Sequence, residues 1–422
     1  MSADSTPVRP PRSTVIAVIA ATTAAQVASV MGVTVFPVIA PELAVNLGVE
    51  PSLVGYQISL IYGVAMAASP FMSNMVARWG ACRTIQAGLG LGALAMLLAM
   101  SSNLAALAVV SALLGLGMAA MPPASAHLLF RFTPHRHRNL IFSLKQSGIP
   151  LAWVLMAAAA PAITLGFGWQ WALALVLGTA LAAAVTMQRW REDWDCDRGT
   201  AAAQSRSLAA GLALVWRYPP LRWLAVMSFF YTFVQLCLAT FAVTLLVQEA
   251  RYSLVGAGLL FSLTNALGVA ARILAGRLAD FIADSARVLA VLGTVMMMCC
   301  IALGFVSPAW PGWALTTLIL LFGASAIAWN GVFLAEVARR TPAGQVSIAT
   351  GGAMAWTYGG VLAGPALFAT AYKLVGSYTT TFGLLAVVTA AGVVALRAGA
   401  IAARPRPLQR GARREKARSN RR

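Results

Sequence analysis

An arginine within an apolar stretch is the most informative residue of this sequence. Arg272 lies inside a predicted membrane-spanning helix, and Asn265, Gly268 and Gly276 recur with it at about helical spacing, so the four share one face. A charged side chain in a bilayer is costly and usually faces a cavity or a partner. Because a guanidinium binds a carboxylate through two parallel hydrogen bonds, Arg272 and Asn265 are predicted to bind substrate. The alternative is that Arg272 extends to the membrane surface, as Arg277 lies just beyond it.

A second cation, Lys145, lies within the predicted fifth helix. It follows Arg138 by two helical turns, which places it about 10 Å further into the bilayer. That depth fits a cation lining a cavity and equally one that reaches back to the surface. Lys145 and Arg272 are the two basic residues that fall inside predicted spans, and both are candidate substrate ligands.

The acidic residues are placed differently from these two cations. None of the 12 aspartates and glutamates lies in the middle of a predicted span, and Glu42 and Glu336 are at helix ends. Proton-driven carriers of drugs and sugars commonly use a buried carboxylate as the proton relay. Two buried cations without a buried carboxylate instead favour an anionic substrate, whose own charge would complete the pairing.

Other polar and aromatic residues within the predicted spans either line a cavity or hydrogen-bond to a neighbouring helix. The further candidate substrate-binding residues are Gln26, Tyr62, Gln235, Trp329, Asn330 and Tyr358. His127, near one end of the fourth predicted helix, is a candidate proton site, with a structural, hydrogen-bonded histidine as the alternative. The cysteines lack metal-site spacing, and the sequence has no nucleotide loop or catalytic constellation. We therefore predict no metal, no cofactor and no enzymatic activity.

The elements that must position these residues follow from the composition. Hydrophobic residues make up 59% of the 422 residues and charged residues only 10%, whereas a soluble domain carries about 25% charged residues. The apolar residues form runs long enough to span a bilayer. Since these runs lack alternation with period two, they favour helices over a barrel. The sequence therefore predicts an all-α membrane protein with twelve transmembrane helices, six on each side of a charged central loop.

The net charge of +19 is distributed as in a membrane protein rather than a nucleic-acid-binding one. When the loops alternate between two sides, one side receives every basic residue except Arg251, Lys373 and the two within spans. Basic loops stay in the cytoplasm. Both termini are therefore predicted to be cytoplasmic in a multi-pass protein of the inner (plasma) membrane, with the lipid bilayer and no nucleic acid as a partner.

The predicted organisation has five parts and a monomeric state. The parts are a cytoplasmic tail (1–13), a six-helix bundle (14–188), a central cytoplasmic loop (189–220), a second six-helix bundle (221–397) and a basic cytoplasmic tail (398–422). The basic tail has the charge density that anionic lipid headgroups attract.

Two loops in equivalent positions of the halves are similar to one another. The loop after the second predicted helix contains Arg78, Gly80 and Arg83, and the loop after the eighth contains Gly276 and Asp280 within a Gly-x-Leu-Ala-Asp segment. Such a pair indicates duplicated halves, as in many secondary transporters. Both segments resemble the G-x-L-A-D-R-x-G-R-R signature of the major facilitator superfamily. The resemblance implies two six-helix bundles and a conformational-switch role for these five residues.

The first copy of this signature departs from the family at one position. In the family, the aspartate of the signature helps to hold the outward-open state through charge pairing at the cytoplasmic face. This chain has Ala77 at that place. Because alanine carries no charge, the resemblance does not supply this part of the latch in the first half.

A narrower resemblance is to the monocarboxylate and oxalate:formate transporters. In that subgroup, an arginine just ahead of the G-x-L-x-D segment binds the substrate carboxylate, and Arg272 stands at that position. Arg136 and Arg138, followed by Ser147 and Gly148, resemble the subgroup's segment between helices four and five. The aromatic-rich signature of the subgroup's first helix is not evident in this sequence.

These features together predict a secondary active transporter. It would be a permease, working by alternating access as a symporter or antiporter, that moves a small organic anion such as a carboxylate across the inner membrane. The alternatives are a proton-coupled exporter of drugs or metabolites and a non-transporting membrane receptor or scaffold with the same fold. Since the sequence has no phosphate loop, ATP-driven transport by this chain alone is not expected.

Overall fold

Twelve long helices make up most of the described chain. The computed structural model describes residues 12–101, 103–133, 141, 145–198, 208–307, 310–342 and 345–402. Helices α1 to α6 are Arg12–Leu47, Val54–Trp79, Ala81–Ala99, Leu104–Phe132, Gly148–Phe167 and Trp169–Gln188. Helices α7 to α12 are Pro219–Gln248, Leu254–Ile282, Ser285–Gly304, Gly312–Arg340, Val346–Val375 and Tyr378–Ala402. The two predicted tails lie almost wholly outside the described residues, as do Arg136 and Arg138.

The lengths and composition of these helices suit a bilayer. Eleven helices in the described part of the chain are long and apolar enough to cross a membrane. The remaining long helix, α11, has the necessary length with 30 residues. The predicted all-α membrane fold with twelve helices is thereby confirmed.

The helices form two bundles of six, as predicted. In the first half, α4 packs against α2 and α3, and α6 packs against α3 and α1. In the second half, α7 packs against α11 and α12, and α8 packs against α10. The halves meet along α2 with α11, α5 with α8, and α1 with α7. Because the antiparallel helices are even in number, α1 begins and α12 ends at the end that carries the central linker, here called the linker end.

Two sharp turns in the first half depend on glycine. Gly80 (φ 92°) is the only residue between α2 and α3, and Gly168 (φ 99°) is the only residue between α5 and α6. Glycine adopts positive φ without the steric cost that a Cβ brings. The same turn thus joins the second and third helices of each three-helix unit in this half, which fits a fold assembled from repeats.

Hydrogen bonds join the halves towards the end opposite the linker. The hydroxyls of Tyr56 and Thr370 lie 2.9 Å apart, linking α2 to α11. In the same interface, the Ala366 amide donates to Ser59 Oγ at 3.0 Å. On the other side of the molecule, Ser262 Oγ donates to the carbonyl oxygen of Val154 at 3.0 Å, linking α8 to α5. The bundles are therefore held together at this opposite end.

The central segment, predicted as a loop, contains two short helices. Arg191–Trp194 is a single turn. Leu208–Arg217, here called the linker helix, lies against α11 of the second half. The backbones of Gly211 and Gly352 touch, and the ring of Trp216 stacks on that of Trp356 with 5.5 Å between centroids. The linker helix is therefore packed onto the second half.

The close approach of α5 and α8 gives a test of this packing. A Cβ at Gly258 would overlap the carbonyl oxygen of Ala157 and the Pro161 ring, whereas a Cβ at Gly276 on the same helix would meet nothing within 4 Å. Both substitutions by alanine favour the helix itself by about 1 kcal/mol. We expect Gly258→Ala to lower the melting temperature of the detergent-solubilised protein, because the overlap with the Ala157 backbone outweighs this gain, and Gly276→Ala to leave it unchanged or raised. Equal effects of the two substitutions would contradict the packing described for α5 and α8.

Candidate functional site

Lys145 lies in the interior of the first half, three residues before α5 begins. Its side chain is buried, with 4% of the residue exposed, as is that of Gln26 on α1. Lys145 Nζ donates to Gln26 Oε1 at 2.6 Å and lies 3.5 Å from Gln146 Oε1. The charge is thus held by neutral amide oxygens of its own half. This burial disfavours the alternative in which Lys145 reaches back to the membrane surface.

Arg272 is half-buried and bound to the second half. Its Nε and Nη2 both donate to the carbonyl oxygen of Ile327 on α10, at 3.3 and 3.2 Å. Gly268, one turn earlier, packs against the Ile327 side chain, so this gap on the predicted face is filled, whereas Gly276 borders open space. A guanidinium has five N–H donors, and the carbonyl of Ile327 takes two of them. Arg272 therefore keeps donors for an anion.

Asn265 has a local role in this structure. It is buried, and its Nδ2 donates to the carbonyl oxygen of Phe261 at 2.9 Å, one turn back on the same helix. This bond uses one N–H of the amide within α8, and the hydrogen bonds of Arg272 go to Ile327 rather than to Asn265. Sharing a face with Arg272 was thus not sufficient to place it beside the guanidinium.

The register of α5 and α8 indicates that the two cations stand at about the same level of the molecule. Ser262 on α8 meets Val154 on α5. Arg272 follows Ser262 by ten positions and Lys145 precedes Val154 by nine, in both cases towards the linker end. On an ideal helix, such an offset is about 15 Å along the axis. The antiparallel register therefore sets the cations at about the same level, one in each half.

A second polar group lies between α7 and α10. Gln235 Oε1 accepts hydrogen bonds from Trp329 Nε1 at 3.1 Å and from Asn330 Nδ2 at 3.2 Å. Trp329 is fully buried, while Gln235 and Asn330 are half-buried. The three side chains thus lie together, with the indole enclosed, and their binding of substrate stays a prediction.

Tyr62 and Tyr358 are near each other at the interface of α2 and α11. Their phenol groups are close enough to interact electrostatically. Tyr62 is half-buried, and Tyr358 is 41% exposed. Each half therefore contributes one tyrosine to this interface.

No carboxylate pairs with either cation in the residues that the structure describes. Glu336 is fully buried, but it lies near the linker end of α10 and pairs with Arg339 and Arg340. This location agrees with the sequence prediction that acidic residues occupy helix ends rather than mid-span positions.

At the linker end, a carboxylate from beyond α6 caps α3. Asp195 is 3% exposed, and its two carboxylate oxygens accept hydrogen bonds from the backbone N–H groups of Cys82 at 2.7 Å and Arg83 at 3.0 Å. These are among the first N–H groups of a helix, which have no partner within it. Gly80 lies directly beneath, and a side chain there would overlap the Asp195 carboxylate. The glycine of the first signature copy thus makes room for this cap.

A second aspartate of the same segment binds α4. Asp197 accepts from Arg131 Nη1 at 3.1 Å and lies 2.8 Å from His127 Nε2. Arg131 Nη1 also donates to the carbonyl oxygen of Trp194 at 3.0 Å, and the Trp194 ring stacks on Trp190. We call the group formed by Asp195, Asp197, His127, Arg131 and Trp194 the linker clasp. Its presence places His127, the candidate proton site, in an ion-pair cluster rather than beside the two interior cations.

The linker clasp is a structural feature that sequence reasoning missed. The sequence showed Asp195 and Asp197 only as part of a charged loop. Two sequence features could have pointed to it: Ala77 replaces the aspartate of the signature, and no side chain that could cap a helix precedes the one that starts after Gly80. The other signature residues lie in the open: Arg78, Arg83 and Asp280 are exposed at the linker end, and the Arg83 side chain donates to Gln86.

Two bundles joined through α2, α5, α8 and α11, with polar side chains between them, define a membrane transporter of the two-bundle type. The chain belongs to the Major Facilitator Superfamily, whose profile matches residues 22–351. It is therefore a transporter and not an enzyme. No curated protein sequence matches the chain significantly.

Solved structures of transporters share this fold. A point mutant of the nucleoside transporter NupG is 11% identical with a TM-score of 0.72, covering 91% of this chain and 100% of its own. A bacterial homolog of the human lysosomal transporter Spinster, in an inward-facing and occupied conformation, is 13% identical with a TM-score of 0.73, covering 94% and 100%. A POT family transporter in complex with 5-aminolevulinic acid is 12% identical with a TM-score of 0.73, covering 93% and 97%. At these identities the likeness concerns the fold alone.

The helix cap in the linker clasp is testable by hydrogen exchange. Removing a cap of this kind costs about 0.5–2 kcal/mol. We therefore expect Asp195→Ala to accelerate exchange of the Cys82 and Arg83 amides, because both lose their acceptor. Glu192→Ala, which removes an exposed carboxylate of the same segment, is the matched control and should leave these amides protected. Equal exchange in the two variants would rule out the cap.

Proposed function

We propose that this transporter moves a small organic anion, with a carboxylate as the group that is recognised. The observation that carries the proposal is the pair of interior cations, Lys145 and Arg272, with no carboxylate partner among the described residues. Each is bound only to neutral oxygen atoms of its own half. A charge in this environment gains most from an opposite charge, because the low-dielectric interior strengthens their attraction. An anionic substrate provides that charge.

The position of the cations links substrate binding to the movement of the halves. Lys145 belongs to the first half and Arg272 to the second, at the same level of α5 and α8. When the linker end closes, two positive charges approach, which is unfavourable unless an anion lies between them. The substrate therefore lowers the free energy of the closed, occluded state, as alternating access around a central site requires. Symport with a proton or exchange with another anion would then drive net transport.

The orientation predicted from the basic loops makes the linker end cytoplasmic. The hydrogen bonds near the opposite end, between Tyr56 and Thr370 and between Ser262 and Val154, then close the outer side. In that orientation, the closed outer side supports an inward-open conformation. The inner membrane, the cytoplasmic termini and the monomeric state stay predictions from the sequence.

The role of Arg272 is tested by counterflow in proteoliposomes. Organic acids that raise the thermal stability of the purified protein are first selected, because a ligand that binds the native state stabilises it. Loss of one partner of a buried charge pair costs about 2–5 kcal/mol. We therefore expect Arg272→Ala to reduce exchange of the labelled acid on the order of 100-fold or more. Arg272→Lys, which keeps the charge but cannot form two parallel hydrogen bonds with a carboxylate, should retain part of the activity.

The matched control is Arg287→Ala, because Arg287 is an exposed arginine with 69% of its side chain accessible, at the start of α9. It should exchange the acid as the wild type does. Saturable transport of a neutral or cationic solute would contradict the proposal of an anionic substrate. A folded protein that exchanges no solute would instead favour the receptor or scaffold alternative.

The orientation has its own test in a native cysteine. Cys196, in the linker, is exposed, whereas Cys82, Cys237, Cys299 and Cys300 are buried. With a cytoplasmic linker, a membrane-impermeant maleimide should leave the protein unlabelled in intact cells and label it after permeabilisation, and Cys196→Ser should remove the label. Labelling of Cys196 in intact cells would contradict a cytoplasmic linker and indicate the opposite orientation.

A further inference from the structure

The orientation of the Gln235 side-chain amide is fixed by its neighbours. The indole of Trp329 can only donate a hydrogen bond, and this residue is fully buried, so its N–H needs an acceptor within the protein. Gln235 Oε1 is that acceptor, at 3.1 Å. The amide oxygen of Gln235 therefore faces the indole, and its Nε2 group points elsewhere.

Asn330 is constrained in the same way. Because Gln235 presents its oxygen, Asn330 must present its Nδ2, which donates at 3.2 Å. Gln235 Nε2 and Asn330 Oδ1 then have no hydrogen-bond partner among the described residues, and neither atom is fully enclosed. An unused donor and an unused acceptor thus lie on adjoining amides.

The surroundings hold this pair rigidly. The Trp329 ring meets the Tyr231 ring edge to face, with 5.8 Å between centroids, and also contacts Phe333. Tyr231 is in turn fixed by a hydrogen bond from its hydroxyl to the carbonyl oxygen of Leu289 at 3.0 Å. A pair of polar groups held in advance loses little freedom when a ligand binds.

The pair lies beside the candidate anion site. Arg272 binds the carbonyl oxygen of Ile327, and Asn330 follows Ile327 by three positions on α10, about 5 Å along the helix. A hydroxyl group both accepts and donates hydrogen bonds, whereas a carboxylate only accepts and an ammonium group only donates. We propose that Gln235 and Asn330 determine specificity by binding a hydroxyl group of the substrate, whose carboxylate binds Arg272. This inference rests on the proposed transport of an organic anion and narrows it to a hydroxylated one.

A matched pair of acids separates the two binding groups. The purified protein, reconstituted in liposomes, is assayed for counterflow with 3-hydroxybutyrate and with butyrate, which lacks only the hydroxyl. The wild type should prefer the hydroxy acid by about tenfold, the contribution of one or two hydrogen bonds. Gln235→Met, which keeps the side-chain volume but removes the free donor together with the acceptor of the Trp329 indole, should bring the preference close to one, mainly by weakening the hydroxy acid. Gln188→Met, at an exposed glutamine of α6, is the control and should keep the preference.

Each outcome is decisive. Exchange of both acids with equal affinity by the wild type would overturn this inference and leave the anion proposal standing. Failure of every organic acid, with transport of a neutral or cationic solute, would overturn both. If Gln235→Met loses both acids in parallel, or does not fold, because the Trp329 N–H has lost its acceptor, Asn330→Ala decides, since it leaves the bond between Trp329 and Gln235 intact. A loss of preference in Asn330→Ala would support the inference, and an unchanged preference or a parallel loss of both acids there would overturn it.

Discussion

A positive charge inside an apolar protein must have hydrogen-bond partners, and that requirement organises the interior of this transporter. Lys145 satisfies it with the side-chain oxygen of Gln26, and Arg272 satisfies it with the backbone oxygen of Ile327. Both partners are neutral and both belong to the same half as the cation they bind. Neutral partners stabilise the charges in the interior by hydrogen bonding without neutralising them. The two halves can therefore separate at the linker end without breaking a hydrogen bond of either charge.

The fold could be predicted from the sequence because a bilayer restricts the secondary structure that the chain can adopt. Backbone groups in hydrocarbon must be satisfied within helices, so the apolar runs alone indicated the number of helices. The two cations were accessible for a related reason, since their cost in apolar surroundings makes them conspicuous. The carbonyl that binds Arg272 was not accessible, because every residue offers the same backbone oxygen and only packing decides which one is near. Asn265 illustrates the same limit, because its position on the face of Arg272 did not prevent a bond to its own helix.

The linker clasp shows a different limit of sequence reasoning. The signature of the family has its carboxylate near the junction of the second and third helices, and this chain has Ala77, in the last turn of α2, at that position. The helix that follows still begins with unpaired N–H groups, and Asp195 binds them from more than a hundred positions along the chain. The physical requirement of the helix start was readable in the sequence. The residue that meets it was not, because a charged linker offers several carboxylates at similar distances along the chain.

The central linker is also a tether of limited length. The linker clasp binds its first part to α3 and α4, and the linker helix binds its last part to α11 through Gly211 and Trp216. Between Arg198 and Leu208 only ten residue steps remain, and a fully extended chain covers about 3.3–3.6 Å in each. The two anchored points can therefore separate by at most about 35 Å, however the bundles rotate. The length of the connection thus sets an upper limit on how far apart these two anchored points can move.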